Sequence, residues 1–346
     1  MRCSTCGHLQ LATFLDPSLL YGSEYHFRTG DSAMARTGTA FFLDFLDRLA
    51  PKRRYRVAVD VGCNDLHCLA GLKDRARRRI GVDPIWASRD QARDDGITVI
   101  GKTIEEANWH FLEGESADLI ICRHTLEHLK DPRTVIEQFL QRLSDEGILI
   151  IEVPAAEPLI EKFRFDQIFH QHLHYFSRPI LSQLIRTSGG EVIDEAENWT
   201  NWGARLIAAR KSTLKRGPVE DGAVPNAADI ARRYAIFQQR MKTTIESLLI
   251  LSETNSVVGY GAGQMLPVLS WHLGTDLGFL EGVLDDDRSK DGMRYANLPL
   301  TICHPRGAID WQNRTVMITA VDHAPSIIRK LCSEPPRHVV HPLCFL

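Results

Sequence analysis

A hydrophobic run, Val57-Ala58-Val59-Asp60-Val61, carries one acid near its end and breaks into the turn Gly62-Cys63-Asn64-Asp65. The pattern predicts a buried strand that opens into a loop and helix, the place where open α/β sheets bind ligands. Gly62 lets the backbone approach a ligand closely. Asp60 and Asp65 suit an ammonium group, a loop-to-helix backbone suits a carboxylate, and Asn64 lies in the same turn. A second run, Arg79-Ile80-Gly81-Val82, ends on Asp83. An acid about twenty residues after the first turn accepts hydrogen bonds from ribose hydroxyls. The first turn lacks the G-x-G-x-x-G that a pyrophosphate requires. A third run, Ala117 to Cys122, opens into Arg123-His124-Thr125-Leu126-Glu127-His128, where His124 and Thr125 would flank the reacting end of the ligand. Ammonium, carboxylate and ribose without pyrophosphate describe S-adenosylmethionine (SAM). The alternatives are a nicotinamide dinucleotide and a fold relic that binds nothing.

The segment Phe169-His170-Gln171-His172-Leu173-His174-Tyr175-Phe176-Ser177 sets three histidines at alternate positions. If extended, it turns His170, His172 and His174 to one face. Imidazole suits a metal, a base near neutral pH or a hydrogen-bonding cluster. A metal needs further ligands and no cysteine is near in sequence, so no metal site is assigned there. Cys3 and Cys6 form one Cys-x-x-Cys pair. A structural zinc site takes four ligands, usually two such pairs, so zinc stays open beside a vestigial knuckle. Gly259-Tyr260-Gly261-Ala262-Gly263 follows a further strand pattern and reads as a tight strand–helix turn, with or without a ligand.

The elements that must hold these residues fall into three regions. Residues 1–50 hold the cysteine pair and a helix from about Asp31 to Leu49. Residues 51–210 alternate strand and helix, with strands at Tyr55–Val61, Arg79–Val82, Thr98–Ile100, Ala117–Cys122, Gly147–Val153 and Arg205–Arg210 and a helix at Pro132–Leu143. Short, nearly continuous apolar strands of this kind imply a parallel sheet covered on both faces. Residues 211–346 begin with a polar, Gly- and Pro-bearing stretch. A long amphipathic helix, about Ala227 to Ser252, and strands at Ser256–Tyr260, near Phe279–Leu284 and at Thr315–Ala320 follow. The expected fold is α/β: a Rossmann-like domain with a small N-terminal cap and a second, smaller C-terminal α/β domain. The acceptor is expected between the last two.

The chain has 346 residues, 44% hydrophobic and 25% charged, with a net charge of −3. That balance, without clustered Lys and Arg, argues against nucleic acid as a partner. The one basic run, Lys73 to Arg79, reads as a solvated helix end. No stretch approaches the ~20 apolar residues of a membrane span. No secretory signal is read at the start, and the eight cysteines are otherwise scattered. A reduced, cytoplasmic protein acting on a small molecule is expected. The sequence leaves the oligomeric state open.

With these residues in place, the core resembles the class I SAM-dependent methyltransferases. From Cys3 to near the C-terminus the chain resembles the sugar C-methyltransferases that act on nucleotide-linked 4-keto-deoxysugars. The likeness rests on Cys3-Ser4-Thr5-Cys6-Gly7, Val61 to Asp65, Phe165 to Ser177 and Val258 to Ala262. It implies that the histidine segment lines the sugar site, with His170 and Tyr175 at the substrate. It also makes His172 the base or the donor that holds the sugar, with His174 as the other catalytic candidate. Methylation at carbon needs a proton removed beside the ketone, and a positioned base contributes roughly 10²- to 10⁴-fold. The resemblance further implies that Tyr25 and Phe27 close over the site, and that the turn carrying Tyr260 serves the nucleotide side, where its backbone N–H groups are available.

Departures from that family fall on the acceptor half. The family's His-Glu-His is His170-Gln171-His172 here. Its catalytic His-Gly-Gly-Ser-Leu-Arg segment corresponds to Asn198-Trp199-Thr200-Asn201-Trp202-Gly203-Ala204-Arg205, which has no histidine; Thr200 or Asn201 takes its place. Asn201 is accordingly expected at the substrate. Met265 stands where the family has a lysine, and its earlier cysteine pair has no counterpart here. The resemblance implies SAM-dependent methylation of a sugar, probed against O- or N-methylation of a related molecule and against a non-catalytic binding protein.

Overall fold

The computed structural model describes residues 1–15, 20, 28–87, 96–199, 203–212, 226–305 and 310–343. The chain forms two compact units. Unit 1 takes Met1–Glu157 and His170–Pro225, and unit 2 takes Pro158–Phe169 and Asn226–Leu346. Residues 1–50, read above as a separate cap, therefore pack within unit 1. The segment Pro158–Phe169, read as part of the cofactor domain, belongs to unit 2. Phe165 is the reason: it is buried and its ring lies 5.3 Å from Tyr234 and 5.7 Å from Phe237.

Unit 1 runs β1 (Leu9–Gln10), α1 (Ala33–Leu49), β2 (Tyr55–Val61), α2 (His67–Ala70), β3 (Ala76–Val82), β4 (Ile97–Ile100), α3 (Ile104–Ala107), β5 (Ala117–Arg123), α4 (Pro132–Arg142) and β6 (Leu143–Pro154). After α5 (Ala156–Glu161), whose residues from Pro158 onward belong to unit 2, unit 1 continues with β7 (His174–Tyr175), α6 (Arg178–Thr187), β8 (Gly190–Asn198) and β9 (Ala204–Lys211). Seven strands form one sheet in the order β4-β3-β2-β5-β6-β9-β8. The first five are parallel, and β9 runs antiparallel to both β6 and β8. The strand order reverses between β2 and β5.

The period of two along each strand splits the core between the two faces. Val57, Val59, Val61, Ile120, Cys122, Leu149 and Ile151 pack on one side. Ala58, Leu119, Ile121, Ile148 and Ile150 pack on the other, with Phe42, Phe45 and Leu46 of α1. Local signals set the helix starts: Ser32 accepts from the Ala35 amide at α1, and Asp131 accepts from the Thr134 amide at α4, where Pro132 follows.

The basic run Lys73–Arg79 is not a solvated helix end, because its second half is already strand β3. Arg79 is buried and donates to the Leu69 carbonyl at 3.1 Å, while Arg78 reaches Glu113 and Glu115 on the surface. The edge strand β8 gave no apolar signal. It carries Glu191, Asp194, Glu195 and Glu197, charges of the kind that blunt a sheet edge.

Unit 2 holds α7 (Ala227–Ser252), β10 (Ser256–Tyr260), α8 (Leu266–Leu273), β11 (Val283–Leu284), β12 (Ile302–Cys303), β13 (Arg314–Ile318), α9 (Ala324–Leu331) and β14 (His338–Val340). Its five strands are parallel, in the order β12-β11-β10-β13-β14. Among the described residues, no helix is long and apolar enough to cross a membrane.

Candidate active site

The reversal of strand order between β2 and β5 opens the crevice where such sheets bind ligands, and the loops at its rim carry the residues singled out by sequence. Gly62 ends β2 at φ +78° and hydrogen-bonds through its amide to the Val82 carbonyl. A β-carbon there would meet the Thr125 hydroxyl oxygen at 1.9 Å, so the turns after β2 and β5 touch. Asn64, at φ +44°, donates its amide to Asp83 Oδ2 at 2.9 Å. Its own side-chain oxygen accepts from the amides of Thr29 and Asp65. Asp83 also accepts from the Ile85 amide at 3.0 Å. Burial raises the Asp83 carboxyl, against the pull of these two amides and of Arg28. A carboxylate has about four acceptor positions, so two remain for hydroxyl donors.

Asp60 is buried at the end of β2. Burial pushes its carboxyl up to about 7, with Arg123 opposing and Asp83 adding to the rise. A cationic ligand beside Asp60 would relieve that burden. Asp65 sits differently. Its Oδ2 takes the Gly30 amide at 2.6 Å and its Oδ1 the His67 amide at 3.2 Å, so it clamps the approach to α1 onto the turn.

Sequence reasoning missed a buried ion pair beneath these loops. Arg123 ends β5, Glu152 lies opposite it on β6, and Arg123 Nε donates to Glu152 Oε2 at 2.5 Å. Arg123 also donates to Thr39 Oγ1 at 3.2 Å, and its guanidinium lies 5.0 Å from the centre of the Phe42 ring. Burial would raise the fully buried Glu152, but Arg123 and His124 outweigh it and hold the carboxyl at about 2. His124, at φ +49°, reaches Glu152 Oε1 with Nε2 at 3.5 Å and Glu127 Oε1 with Nδ1 at 3.8 Å. Only the register of β5 against β6 reveals this pair, and the local sequence holds no cue for it.

The histidine segment meets the same turn. Leu173 donates its amide to the Glu127 carbonyl, and the His172 ring lies 5.0 Å from the His128 ring and 6.2 Å from that of Tyr175. Burial, with His128 and His124 close by, holds the His172 imidazole well below its usual range, so it is neutral at pH 7. The three alternate histidines part company. His170 is exposed. His174 lies in β7, with Nε2 at 3.1 Å from the Leu129 carbonyl oxygen and Nδ1 at 2.9 Å from His8 Nε2. Both of its nitrogens are thereby engaged. Tyr175 is buried and pairs with Leu9 across β1.

Tyr260 belongs to unit 2. Its hydroxyl donates to Asp286 Oδ1 at 2.8 Å, and its ring stacks 6.3 Å from Trp311. The turn after it does not offer the backbone N–H groups expected of it. The Gly261 amide goes to the Leu284 carbonyl, the Gly263 amide to the Gly261 carbonyl, and the Ala262 amide to Asp285 Oδ2 at 2.7 Å. A carboxylate thus takes the place read for an anion. Lys290, from the following loop, approaches Asp285 at 3.2 Å and the Ala262 carbonyl at 3.3 Å. Tyr25, Phe27, Thr200, Asn201 and Trp202 lie outside the described residues. Near Cys3 and Cys6, no group of three or more metal-ligating side chains forms among the described residues.

Residues 34–195 match a family model described as a methyltransferase domain. The chain thus carries a methyltransferase domain on a Rossmann-like α/β fold. It is similar to the C-methyltransferase NovU of Streptomyces niveus, with 24% identity over 94% of this chain and 80% of that protein. It is also similar to a ubiquinone biosynthesis O-methyltransferase of Hahella chejuensis (strain KCTC 2396), 34% identical over 27% of this chain and 41% of that one. Among solved structures, the N-methyltransferase NodS of Bradyrhizobium japonicum WM9 with S-adenosyl-L-homocysteine overlaps 52% of this chain and 89% of that one, at 16% identity and a TM-score of 0.41.

Proposed function

We propose that this methyltransferase acts on a sugar carried by a nucleotide and transfers the methyl group to carbon beside a keto group. The observation that carries this reading is the meeting of His172 with the turn that follows β5, their rings 5.0 Å apart at His128. That brings the segment which resembles a sugar-binding stretch next to the loop that flanks the reacting end of the cofactor. The similarity to NovU along 94% of the chain supports it.

The residues present suit SAM. Asp83 has acceptor positions left for ribose hydroxyls, and Asp60 is a buried acid that a nearby ammonium would relieve. When bound, SAM supplies an electrophilic methyl on a sulfonium sulfur. The protein's part is orientation and proton handling. Asn64 and Gly62 fix the turn, and Thr125 closes its other side. Orientation of reactants can remove about 7–11 kcal/mol of barrier. The acceptor-side chemistry is assigned to the cluster around His172, whose neutral ring keeps a lone pair. His174, with both nitrogens engaged, is assigned to holding β7 against β1.

Methyl transfer to an oxygen or nitrogen is the second reading, favoured by the absence of histidine from Asn198 to Arg205. A mass-spectrometric screen of nucleotide sugars incubated with SAM tests both. The first reading expects one added methyl group, placed on carbon by fragmentation. Methylation on oxygen or nitrogen selects the second. No methylated nucleotide sugar across the screen overturns the sugar assignment.

A further inference from the structure

One group in the turn after β5 is left unexplained by methyl transfer. Glu127 is 1% exposed, and among the described residues neither carboxylate oxygen has a hydrogen-bond partner. Burying a carboxylate without compensation is strongly unfavourable, so natural sites pair it or give it a metal. The nearest nitrogens, His124 Nδ1 and His128 Nε2, each lie 3.8 Å from Glu127 Oε1, beyond hydrogen-bond reach.

His128 is oriented in the manner of a metal ligand. Its Nδ1 lies 2.7 Å from the Gln171 carbonyl oxygen. A carbonyl only accepts, so Nδ1 carries a proton and donates, which leaves Nε2, on the side of Glu127, as the nitrogen able to bind an ion. Ligating histidines are held in this way by a carbonyl on the far nitrogen, which fixes both tautomer and ring direction. His172 completes the set: one ligand atom from each of Glu127, His128 and His172 lies within 4.8 Å of the others. Ligands about 2.1 Å from a tetrahedral ion stand about 3.4 Å apart. Small side-chain rotations therefore close the set around one ion.

We propose that Glu127, His128 and His172 bind one divalent transition-metal ion. Two imidazole nitrogens and one carboxylate suit zinc or iron better than magnesium or calcium, which prefer oxygen throughout. Three protein ligands leave a coordination position open, the arrangement of catalytic rather than structural sites. The site lies in the turn that contains Thr125, against Gly62. An acceptor oxygen bound at the open position would be polarised, and the neighbouring proton made easier to remove. In the loaded protein the His172 lone pair is then a ligand, and the ion takes over the activation of the acceptor. This last role rests on the proposed function; the binding site itself does not. Of the alternating histidines only His172 takes part, because His170 is exposed and His174 turns to His8 and Leu129.

The test uses the full chain, stripped with chelator and titrated with Zn²⁺ by calorimetry, without SAM or sugar. One ion per chain is expected, with affinity at least tenfold weaker in both Glu127→Gln and His172→Gln. The Cys3→Ser/Cys6→Ser variant is expected to keep the affinity. Co²⁺ substitution is expected to give visible d–d bands without thiolate charge transfer. A structural role alone would make Glu127→Gln neutral or harmful to the metal-free protein. The metal site predicts that the metal-free variant melts higher than the parent, because an amide replaces a buried carboxyl group that makes no hydrogen bond among the described residues, while stabilisation by Zn²⁺ is lost. If Glu127→Gln does not fold, the partly exposed His172 carries the test alone. No stoichiometric Zn²⁺ binding, tight binding that the variants retain, or binding lost only with the cysteine pair each overturns the proposal. None of these outcomes depends on whether the acceptor is a sugar.

Discussion

A β-carbon on Gly62 would lie 1.9 Å from the hydroxyl oxygen of Thr125. That contact joins the ends of the two strands, β2 and β5, between which the sheet reverses its order. Gly62 is therefore required twice, once for space and once for its φ of +78°. Gly62→Ala is expected to weaken SAM binding at least tenfold and to cost about 1–3 kcal/mol of stability. Adding Thr125→Ala removes the hydroxyl clash and leaves the backbone strain, so part of the stability should return. Calorimetry with SAM and urea unfolding measure both effects. Equal stability of the single and double variants would show that Thr125 does not close the turn.

The Arg123–Glu152 pair offers a second test. Glu152 is wholly buried, and Arg123 is shielded by Phe42 and Thr39. Glu152→Gln leaves a buried guanidinium without its counter-charge. Breaking such a pair from one side costs about 3–5 kcal/mol, whereas replacing both partners by apolar groups is often close to neutral. Urea unfolding of Glu152→Gln should show the large loss, and Arg123→Met/Glu152→Leu a smaller one. A double variant as unstable as the single one would refute the desolvation account.

The contrast between these two features shows what the sequence could disclose. Gly62, Asn64 and Asp83 lie on or beside apolar strand ends, and a turn, a glycine and an acid at the right distance are local signals. The β5 strand and the helices α1 and α7 were legible for the same reason, since their apolar periods are unbroken. Arg123 and Glu152 are twenty-nine positions apart. They become neighbours only through strand register, which no local pattern encodes. Phe165 sits among residues that read as one segment with His170 to Ser177, yet its ring belongs to the core of unit 2. The Leu126-Glu127-His128 stretch reads as an ordinary loop or helix start. Only the burial of Glu127 without a hydrogen bond among the described residues sets it apart.

Asp83 tests the cofactor assignment most directly. Its carboxylate holds the Asn64 and Ile85 amides at 2.9 and 3.0 Å, one on each oxygen. Asp83→Asn keeps one acceptor oxygen and turns an NH₂ toward a backbone N–H. Leaving a buried donor unpaired costs about 1–3 kcal/mol. The same change removes the charged acceptor proposed for the ribose hydroxyls. SAM affinity is expected to fall at least tenfold, while affinity for free methionine, which has no ribose, falls less. Equal losses for both ligands would show that Asp83 shapes the turn without touching the ribose.

The His8–His174 contact predicts a pH dependence that differs in origin from the cofactor site. His174 Nε2 faces the Leu129 carbonyl and must donate, so its Nδ1 accepts the proton of His8 Nε2 across 2.9 Å. The remaining nitrogen of His8, Nδ1, is buried without a partner among the described residues. A further proton on His8 would put charge there, and burial together with the neighbouring His174 lowers its pKa from 6.5 to about 4. The unfolded chain accepts that proton near pH 6.5. Between pH 6.5 and about 4, the unfolded state therefore binds a proton that the folded state refuses. The stability linked to His8 is complete above pH 6.5 and is lost as the pH falls toward 4. His8→Gln keeps an N–H donor and removes the titration. Melting temperatures measured from pH 7.5 to 4 should fall less steeply in the variant than in the parent. Parallel curves would mean that His8 takes up its proton in the folded protein at its ordinary pKa, and that the contact with His174 does not hold it neutral.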